Sequence, residues 1–566
     1  MAKWPKIDDE NFNEKITTKF AKFEIPHVKK SFRSICFPQE YKHQIPQLFL
    51  SEFINPKTPY RGVLVYHRIG AGKTCASIGI AEHFIDAQYQ VIIVLPASLR
   101  TNYRDELRSQ CVKEMYITKE ERQKLSEMLP SDPRYREIIR ASDKRIDSYY
   151  NIYSYNKFFD IIDEIDLEKT LLIIDEVQNI VSETGTYYEQ IMAKLKKTPD
   201  SLRTVIMTAT PIFDKPVEIA LTMNLILPKE KRLPIGHKFN DKFIHEEEHK
   251  DGSVTHTAIN MDEFKETLKG YVSYYRGAPE SAFPQAIFKV LKCVMVGKQL
   301  TAYEKAINNE KKIYNEGEEI TNSFFILSRI ISNFIFSNMK LKEDGFRSLR
   351  DQDFDPDNLR QLSAKLWKLI GKIKKLSGLH FVYSAFKGYG GLEIIAKMLD
   401  HYGYKNYFLH GPGPKRYVFW TGDQTDAEKD EIKAVFNHAS NENGSRLKII
   451  LGSPSIKEGV SLLRLHVVHL FEPYWNMSRL EQIMGRGIRY CSHKDLPEER
   501  RFVMVFLYLA TNPEIAETID QKILKMAFDK TNIRTQFELA LKECAVDCQL
   551  NHYGNKTIGE KIQCDV

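Results

Sequence analysis

The chain has 566 residues, length for two to four domains, and its 42% hydrophobic and 28% charged content is that of an ordinary globular protein rather than a disordered or fibrous one. No apolar run approaches the roughly 20 residues of a membrane span, and the opening MAKWPKIDDENF lacks the apolar core of a leader peptide, so a membrane partner is excluded and an intracellular protein is expected. A formal charge of +7 permits a polyanion partner without requiring one, and eight scattered cysteines suit a reducing compartment.

Residues 1–35 read as a charged extension with little regular pattern. Beyond Phe37, the residues Leu48, Phe49, Phe53 and Ile54 fall at helical spacing. A glutamine ahead of a phosphate loop can read an adenine edge by paired hydrogen bonds. Gln44 is the candidate, Gln47 competes for the role, and a plain surface glutamine is the simpler alternative.

The stretch VLVYHRIGAGKTCASIGI, residues 63–80, organises the rest of the chain. A strand runs into a glycine-rich turn, and Lys73-Thr74 open a helix. Gly70, Ala71 and Gly72 let backbone N–H groups close on an anion, and the helix N-terminus through Cys75 adds partial positive charge. Lys73 would reach the β/γ-phosphates of ATP, and the Thr74 hydroxyl would sit on Mg²⁺. The full phosphate-loop pattern wants glycine where His67 stands, so the match is to GxGKT alone.

Val91–Leu95, closed by Pro96, reads as a strand covered on both faces. At its carboxyl edge Ser98 and Arg100 are candidates to hold a nucleic-acid backbone, with a helix cap at Ser98 as the alternative. A charged, helical region over about 112–148 precedes another strand at 149–155. Leu171–Ile174 then delivers Asp175 and Glu176 at a strand tip. There Asp175 can orient the magnesium shell and Glu176 can polarise the attacking water. VIMTATP, residues 205–211, supplies one more strand ending in hydroxyls, suited to relay between the nucleotide site and a second domain. Five such strands separated by helices imply a parallel sheet with helices on both faces.

A polar insertion from Lys229 to about Asp251 leads to LKGYVSYYRGAPESAFP, read as the linker. AIFKVLKCVMV, 286–296, is strand-like, and the region from Gln299 to about Lys375 is helical and basic. Its lysines, including Lys365, Lys368, Lys372, Lys374 and Lys375, suit either DNA phosphates or a solvated face. Strands recur at 378–384, 417–422 and 447–453. QIMGRGIR, residues 482–489, places Arg486 and Arg489 three apart, as if on one face of a helix. An always-charged fork suits a transferring γ-phosphate, and Arg489 is the candidate arginine finger with Arg486 beside it. Cys544, Cys548 and His552 are four apart; helix packing is the plain reading, and a zinc site lacks a fourth ligand, Cys564 being poorly spaced.

GAGKT, DEVQ at Asp175–Gln178, TATP at Thr208–Pro211 and the QxxGRxxR string together resemble motifs I, II, III and VI of superfamily 2 helicases and translocases. The wording is similar to the helicase-like ATPases of large nucleocytoplasmic DNA viruses, a group that includes the poxvirus early transcription factor small subunit and nucleoside triphosphate phosphohydrolase I. The acidic box is neither DEAD nor DEAH. The resemblance implies two RecA-like α/β lobes, with an extension at 1–35, the first lobe at 36–230, an insertion and linker at 231–285, and the second lobe at 286–510. Within the second lobe lies the basic helical insertion of about 299–375, and 511–566 is a helical C-terminal segment. It further implies Gln178 among the catalytic groups, Gly459 and Gln482 at the nucleotide, and Ser384, Thr421, Gly422 and Ser455 facing nucleic-acid phosphates. ATP with Mg²⁺ would be hydrolysed between the lobes to drive translocation on duplex or single-stranded DNA, in viral transcription, within the viral factory or virion and beside other subunits. A strand-separating helicase on DNA or RNA, and an ATPase scaffold of a transcription complex, are the alternatives.

Overall fold

The computed structural model describes residues 4–27, 31–68, 70–112, 114–128, 132–182, 185–196, 199–249, 254–312, 323–457, 460–556 and 561–565. They divide into two compact units, one of residues 1–280 with 529–566 and one of residues 281–528. Each is an α/β unit built on its own parallel sheet.

In the first unit the strands are β1 (Gly62–His67), β2 (Gln90–Leu95), β3 (Tyr150–Ser154), β4 (Thr170–Asp175) and β5 (Arg203–Thr208), followed by a small antiparallel hairpin, β6 (Ile244–Glu248) and β7 (Val254–Ala258), and then β8 (Val272–Tyr275). The sheet order is β3-β2-β4-β5-β1-β8, and every pairing is parallel. Alternate residues of each strand feed two separate cores, the geometry expected of a sheet with period-two side chains and both faces covered. Val63, Val65, Val91, Ile93, Leu171, Ile173 and Val205 pack on one side with Phe12, Ile16, Phe49 and Phe53. Leu64, Tyr66, Ile92, Val94, Leu172, Ile174 and Ile206 pack on the other with Phe537, Leu541 and Cys544.

Three expectations change here. The N-terminal stretch contains a helix, Phe12–Lys19, whose Phe12 and Ile16 are fully buried, so it is a piece of this core. The linker sequence YVSYY forms β8, a sixth strand at the sheet edge. Residues 529–566 belong to the first unit and residues up to 528 to the second, which divides the helical C-terminal segment expected over 511–566.

The second unit carries β9 (Gln285–Val294), β10 (Leu379–Tyr383), β11 (Lys405–Asn406), β12 (Arg416–Trp420), β13 (Ile449–Gly452), β14 (Leu465–Leu470) and β15 (Phe502–Thr511). Their order is β11-β12-β13-β10-β14-β15-β9, again all parallel. Helices of the basic region cover one face, with Tyr303, Phe334, Leu366, Leu369 and Ile373 in the same core as Val382, Ile449 and Val467. This position corrects the reading of the lysine cluster for Lys365 alone, since Lys374 and Lys375 are exposed as a solvated face requires. Lys365 is fully buried, 2.6 Å from Asp520 and 2.9 Å from the Asn333 side-chain oxygen, while Lys372 and Lys374 lie over the rings of Phe506 and Tyr402.

Two buried histidines join β10 to β14 and β15. His380 donates from Nε2 to the Leu376 carbonyl (3.2 Å), His469 donates from Nε2 to His380 Nδ1 (3.0 Å), and Tyr508 donates its hydroxyl to His469 Nδ1 (2.8 Å). Every contact of the chain is satisfied with both rings neutral, and burial pushes His380 down to about 3 and His469 well below the usual histidine range. In the unfolded chain histidine takes a proton near pH 6.5. The stability these rings contribute is therefore full above that pH and is lost as pH falls below it, by about 2 kcal/mol at pH 5 for His380. Urea unfolding at pH 7.5 and 5.0 checks this: the midpoint should fall at the lower pH, and equal midpoints would contradict it.

The cysteines are less scattered in space than in sequence. Cys75 and Cys111, 36 residues apart, form a disulfide, as do Cys548 and Cys564. The reduced-thiol expectation is corrected for these four, and Cys548 is not available for the zinc site that the spacing left open. Cys544 is a buried free thiol. Among the described residues no helix is long and apolar enough to cross a membrane.

Candidate nucleotide site

The phosphate loop leaves β1, whose six residues are all buried. Gly70 and Gly72 both take positive φ, 84° and 73°, where a side chain is strained, and Lys73 then opens the helix Lys73–Asp86. The Lys73 ammonium donates to the His67 carbonyl at 3.3 Å. His67 holds the missing glycine's place without penalty because the backbone there is still strand. Its ring is buried, and burial beside Lys73 pushes it down to about 3, so it is neutral.

Gln44 and Gln47 separate in role. Gln47 is buried, donates to the Gly72 carbonyl at 3.0 Å, and accepts from the Gln44 backbone N–H at 2.8 Å. A Cβ on Gly72 would lie 2.4 Å from the Gln47 nitrogen, a second reason for glycine there. Gln47 thus braces the loop, while the side-chain oxygen of Gln44 is buried without a hydrogen-bond partner. The disulfide ties Cys75, in the first turn of the loop's helix, to Cys111.

The register places the acidic box at the same sheet edge. Val65 of β1 pairs with Met207 of β5, and Met207 pairs with Asp175 of β4, so these stand in one row about 10 Å across. Asp175 is buried, and Glu176 adopts a left-handed backbone, φ 52° and ψ 47°. Such strain persists where surrounding contacts over-determine it. Here Tyr155 donates its hydroxyl to the carbonyls of both Asp175 and Glu176. Nothing local in the sequence signals that Tyr155 reaches the neighbouring loop.

Glu176 accepts from the Gln178 amide at 2.7 Å, Gln178 accepts from the Thr208 hydroxyl at 2.7 Å, and Thr208 accepts from the Thr210 backbone N–H at 2.9 Å. The amide of Gln178 therefore joins the acidic box to TATP within the first unit. The Thr210 hydroxyl is buried without a hydrogen-bond partner. Thr74 and Asp175 are oxygen donors at the same edge, a set that fits a hard cation such as Mg²⁺.

In the second unit the helix Met477–Met484 is capped by Asn476 and ends before the arginines. Arg486 and Arg489 stand in the turn beyond it, a correction to their expected place on a helix. Gly485 and Gly487 break the helix, and a Cβ on Gly487 would lie 2.4 Å from Leu465. The two side chains are nevertheless set alike. Arg486 donates from Nε to the Gln482 carbonyl at 3.0 Å, and Arg489 from Nε to the Gly485 carbonyl at 3.1 Å, each four residues back. Arg489 also donates to the Ser461 hydroxyl.

The hydroxyls named for nucleic acid divide by exposure. Ser98, Arg100, Gly422 and Ser455 are exposed, and the helix after Ser98 has Leu99 as its N-cap, so Ser98 does not cap it. Ser384 is fully buried and donates to Glu472 at 3.1 Å, which corrects the expectation that it faces a phosphate. Thr421 is also buried and turns its hydroxyl to Asp423 and Gln424. In both cases a strand-end hydroxyl satisfies a nearby acceptor, the usual fate of a buried polar group. Glu472, unassigned from sequence, gathers Ser384, the Ala385 N–H and Asn333, and burial holds its carboxyl above the usual range. Gly459 lies outside the described residues.

Residues 51–219 match the DEAD/DEAH box helicase family and residues 374–491 the helicase conserved C-terminal domain. A protein of Acanthamoeba polyphaga mimivirus named as an ATP-dependent RNA helicase is 51% identical over 566 residues, covering 99% of this chain and 98% of the relative. The chain belongs to the superfamily 2 helicases of large DNA viruses. A termination factor NPH-I homolog of African swine fever virus is 26% identical, over 87% of this chain and 77% of that protein. A solved Sulfolobus solfataricus SWI2/SNF2 ATPase core in complex with dsDNA is 16% identical, covering 86% of this chain and 90% of that one, with a TM-score of 0.29 that supports no inference here. As a superfamily 2 helicase the protein is a nucleic-acid-dependent ATPase, and the phosphate loop and acidic box lie within the first matched region.

Proposed function

We propose that this helicase couples ATP hydrolysis to translocation along DNA during viral transcription, working with other transcription subunits in the cytoplasmic viral factory and virion. The observation that carries the reading is the meeting of the phosphate loop and the Asp175-Glu176 turn at one edge of the first sheet, with Gln178 and Thr208 tying that turn to TATP. Gly70, Ala71, Gly72, Lys73 and Cys75 cradle the phosphates, Gln44 reads the base with its unpaired oxygen, and Glu176 takes the proton of the attacking water. Thr74 and Asp175 would hold Mg²⁺, which when bound neutralises charge on the phosphates. Arg486 and Arg489, with Gln482 and Gly459 nearby in sequence, act on the γ-phosphate in the ATP state. Loss of that phosphate releases the arginines, a recurring form of switch. Ser98, Arg100, Gly422 and Ser455 remain the proposed contacts to the nucleic-acid backbone, and the inward-facing Ser384 and Thr421 shape the loops beside them.

A second reading, strand separation on RNA, draws support from the mimivirus relative's name. Steady-state ATP hydrolysis with single-stranded DNA, duplex DNA and RNA, alongside a strand-displacement assay, decides between them. Stimulation by DNA without displacement is expected. Stimulation by RNA alone with displacement would select the second reading, and no stimulation by any polynucleotide would overturn both.

A further inference from the structure

The sequence after the last long helix, CAVDCQLNHYGN, docks on the free edge of β8. Val546 donates its N–H to the Val272 carbonyl at 2.8 Å, so the tail covers what would otherwise be an exposed sheet edge. Asp547 and Ser273 are fully buried. One carboxylate oxygen of Asp547 accepts from the Tyr274 N–H at 2.9 Å, and the other accepts from the Ser273 hydroxyl at 2.6 Å and the Asn551 amide at 2.9 Å.

The Ser273 contact fixes a direction. The Ser273 hydroxyl spends its only proton on Asp547, so its oxygen must accept from His67 Nε2, which lies 3.0 Å away. His67 is thereby held as the Nε2–H tautomer, with Nδ1 buried and without a hydrogen-bond partner. The backbone carbonyl of the same residue receives Lys73. Beside this line the backbone interlocks as well: Arg68 N–H donates to the Tyr275 carbonyl at 3.1 Å, and a Cβ on Gly277, at φ 101°, would come within 3.2 Å of Ala71 Cβ. The tail holds the far side of that segment, with Asn551 and Asn555 donating to the Tyr274 carbonyl at 3.0 and 3.2 Å and Asn555 accepting from the Arg276 N–H at 2.8 Å.

We propose that Asp547 is a positioning residue of the nucleotide site, acting through Ser273 and His67 to fix the strand end from which the phosphate loop springs and the carbonyl that holds Lys73. The C-terminal tail is then a working part of the ATP site, and nucleotide affinity depends on its being seated. A hydrogen bond to a charged group is worth enough to change binding by about tenfold when lost. Burial pushes Asp547 up to about 6, and the hydrogen bonds it accepts keep it ionised above that value.

The test uses the full-length chain and the variants D547N, S273A and the double substitution, reading kcat and KM for ATP together with the melting temperature. S273A removes one hydroxyl and leaves the contacts of Asp547 to Tyr274 and Asn551, so the tail stays docked. The expected result is a KM about tenfold higher in S273A and in D547N, with kcat within about threefold of wild type and no further rise in the double variant, because the two lie on one line. S273A with wild-type KM, or KM increases that multiply in the double variant, would overturn the proposal. Should D547N fail to fold, S273A alone still decides. The inference rests on Lys73 as the phosphate lysine, and K73A separates the two: wild-type turnover in K73A would refute the site itself, whatever Ser273 does.

Discussion

Glu176→Gln should abolish ATP hydrolysis while leaving ATP bound. The substitution preserves shape and leaves the amide of Gln178 a side-chain oxygen to meet at the position it now contacts at 2.7 Å, so the turn held by Tyr155 is undisturbed. What disappears is the ability to accept a proton from the attacking water. Positioned general bases contribute about 10² to 10⁴ in rate, and a loss of that order is expected in single-turnover hydrolysis, with the dissociation constant for a fluorescent ATP analogue within about threefold of wild type. Undiminished hydrolysis would remove Glu176 from its proposed role. A parallel loss of binding would show instead that the carboxylate maintains the loop.

The second large effect is at Arg489. Its guanidinium is oriented by the Gly485 carbonyl and the Ser461 hydroxyl, so its planar fork is set before any ligand arrives. An arginine placed on the transferring phosphoryl group is worth about 10³ to 10⁵ in turnover. Arg489→Ala should therefore lower kcat by on the order of 10³ with KM for ATP little changed, because the interaction forms chiefly in the transition state. Arg489→Lys should recover little, since a point charge does not replace a bidentate fork. A loss below about tenfold in the alanine variant would mark a residue that packs the turn rather than one that acts on phosphate.

Much of this was legible in the sequence because parallel strands covered on both faces read as continuous apolar runs, as at Val91–Leu95 and Leu171–Ile174. The chemistry sits at their carboxyl ends, where GAGKT and Asp175-Glu176 are found. What escaped was information carried between elements. YVSYY, pinned between Gly270 and Gly277, is too short and too close to glycine and proline to announce a strand, and only its pairing with β1 makes it one. Phe12 and Ile16 sit among charged residues, so the helix that buries them looked like an extension. Helical spacing was read through Arg486 and Arg489 although two glycines flank Arg486 and end the helix. Sequence alone does not distinguish Gln44 from Gln47; the contact of Gln47 with the Gly72 carbonyl does. Lys365 reads as surface charge because its partner Asp520 lies far along the chain. The pairing of Cys75 with Cys111 and of Cys548 with Cys564 depends on chain path alone.

The proposed action of Arg486 and Arg489 on the phosphate held by Lys73 is tested most directly by a crystal structure with ADP, aluminium fluoride and Mg²⁺, a mimic of the transferring phosphoryl group. The expected result places a guanidinium of Arg489 or Arg486 within hydrogen-bond distance of the fluoride, on the side opposite Lys73, with Glu176 against the attacking water. Fluoride bound by Lys73 but with both arginines turned away from it would contradict the proposed role of the arginines.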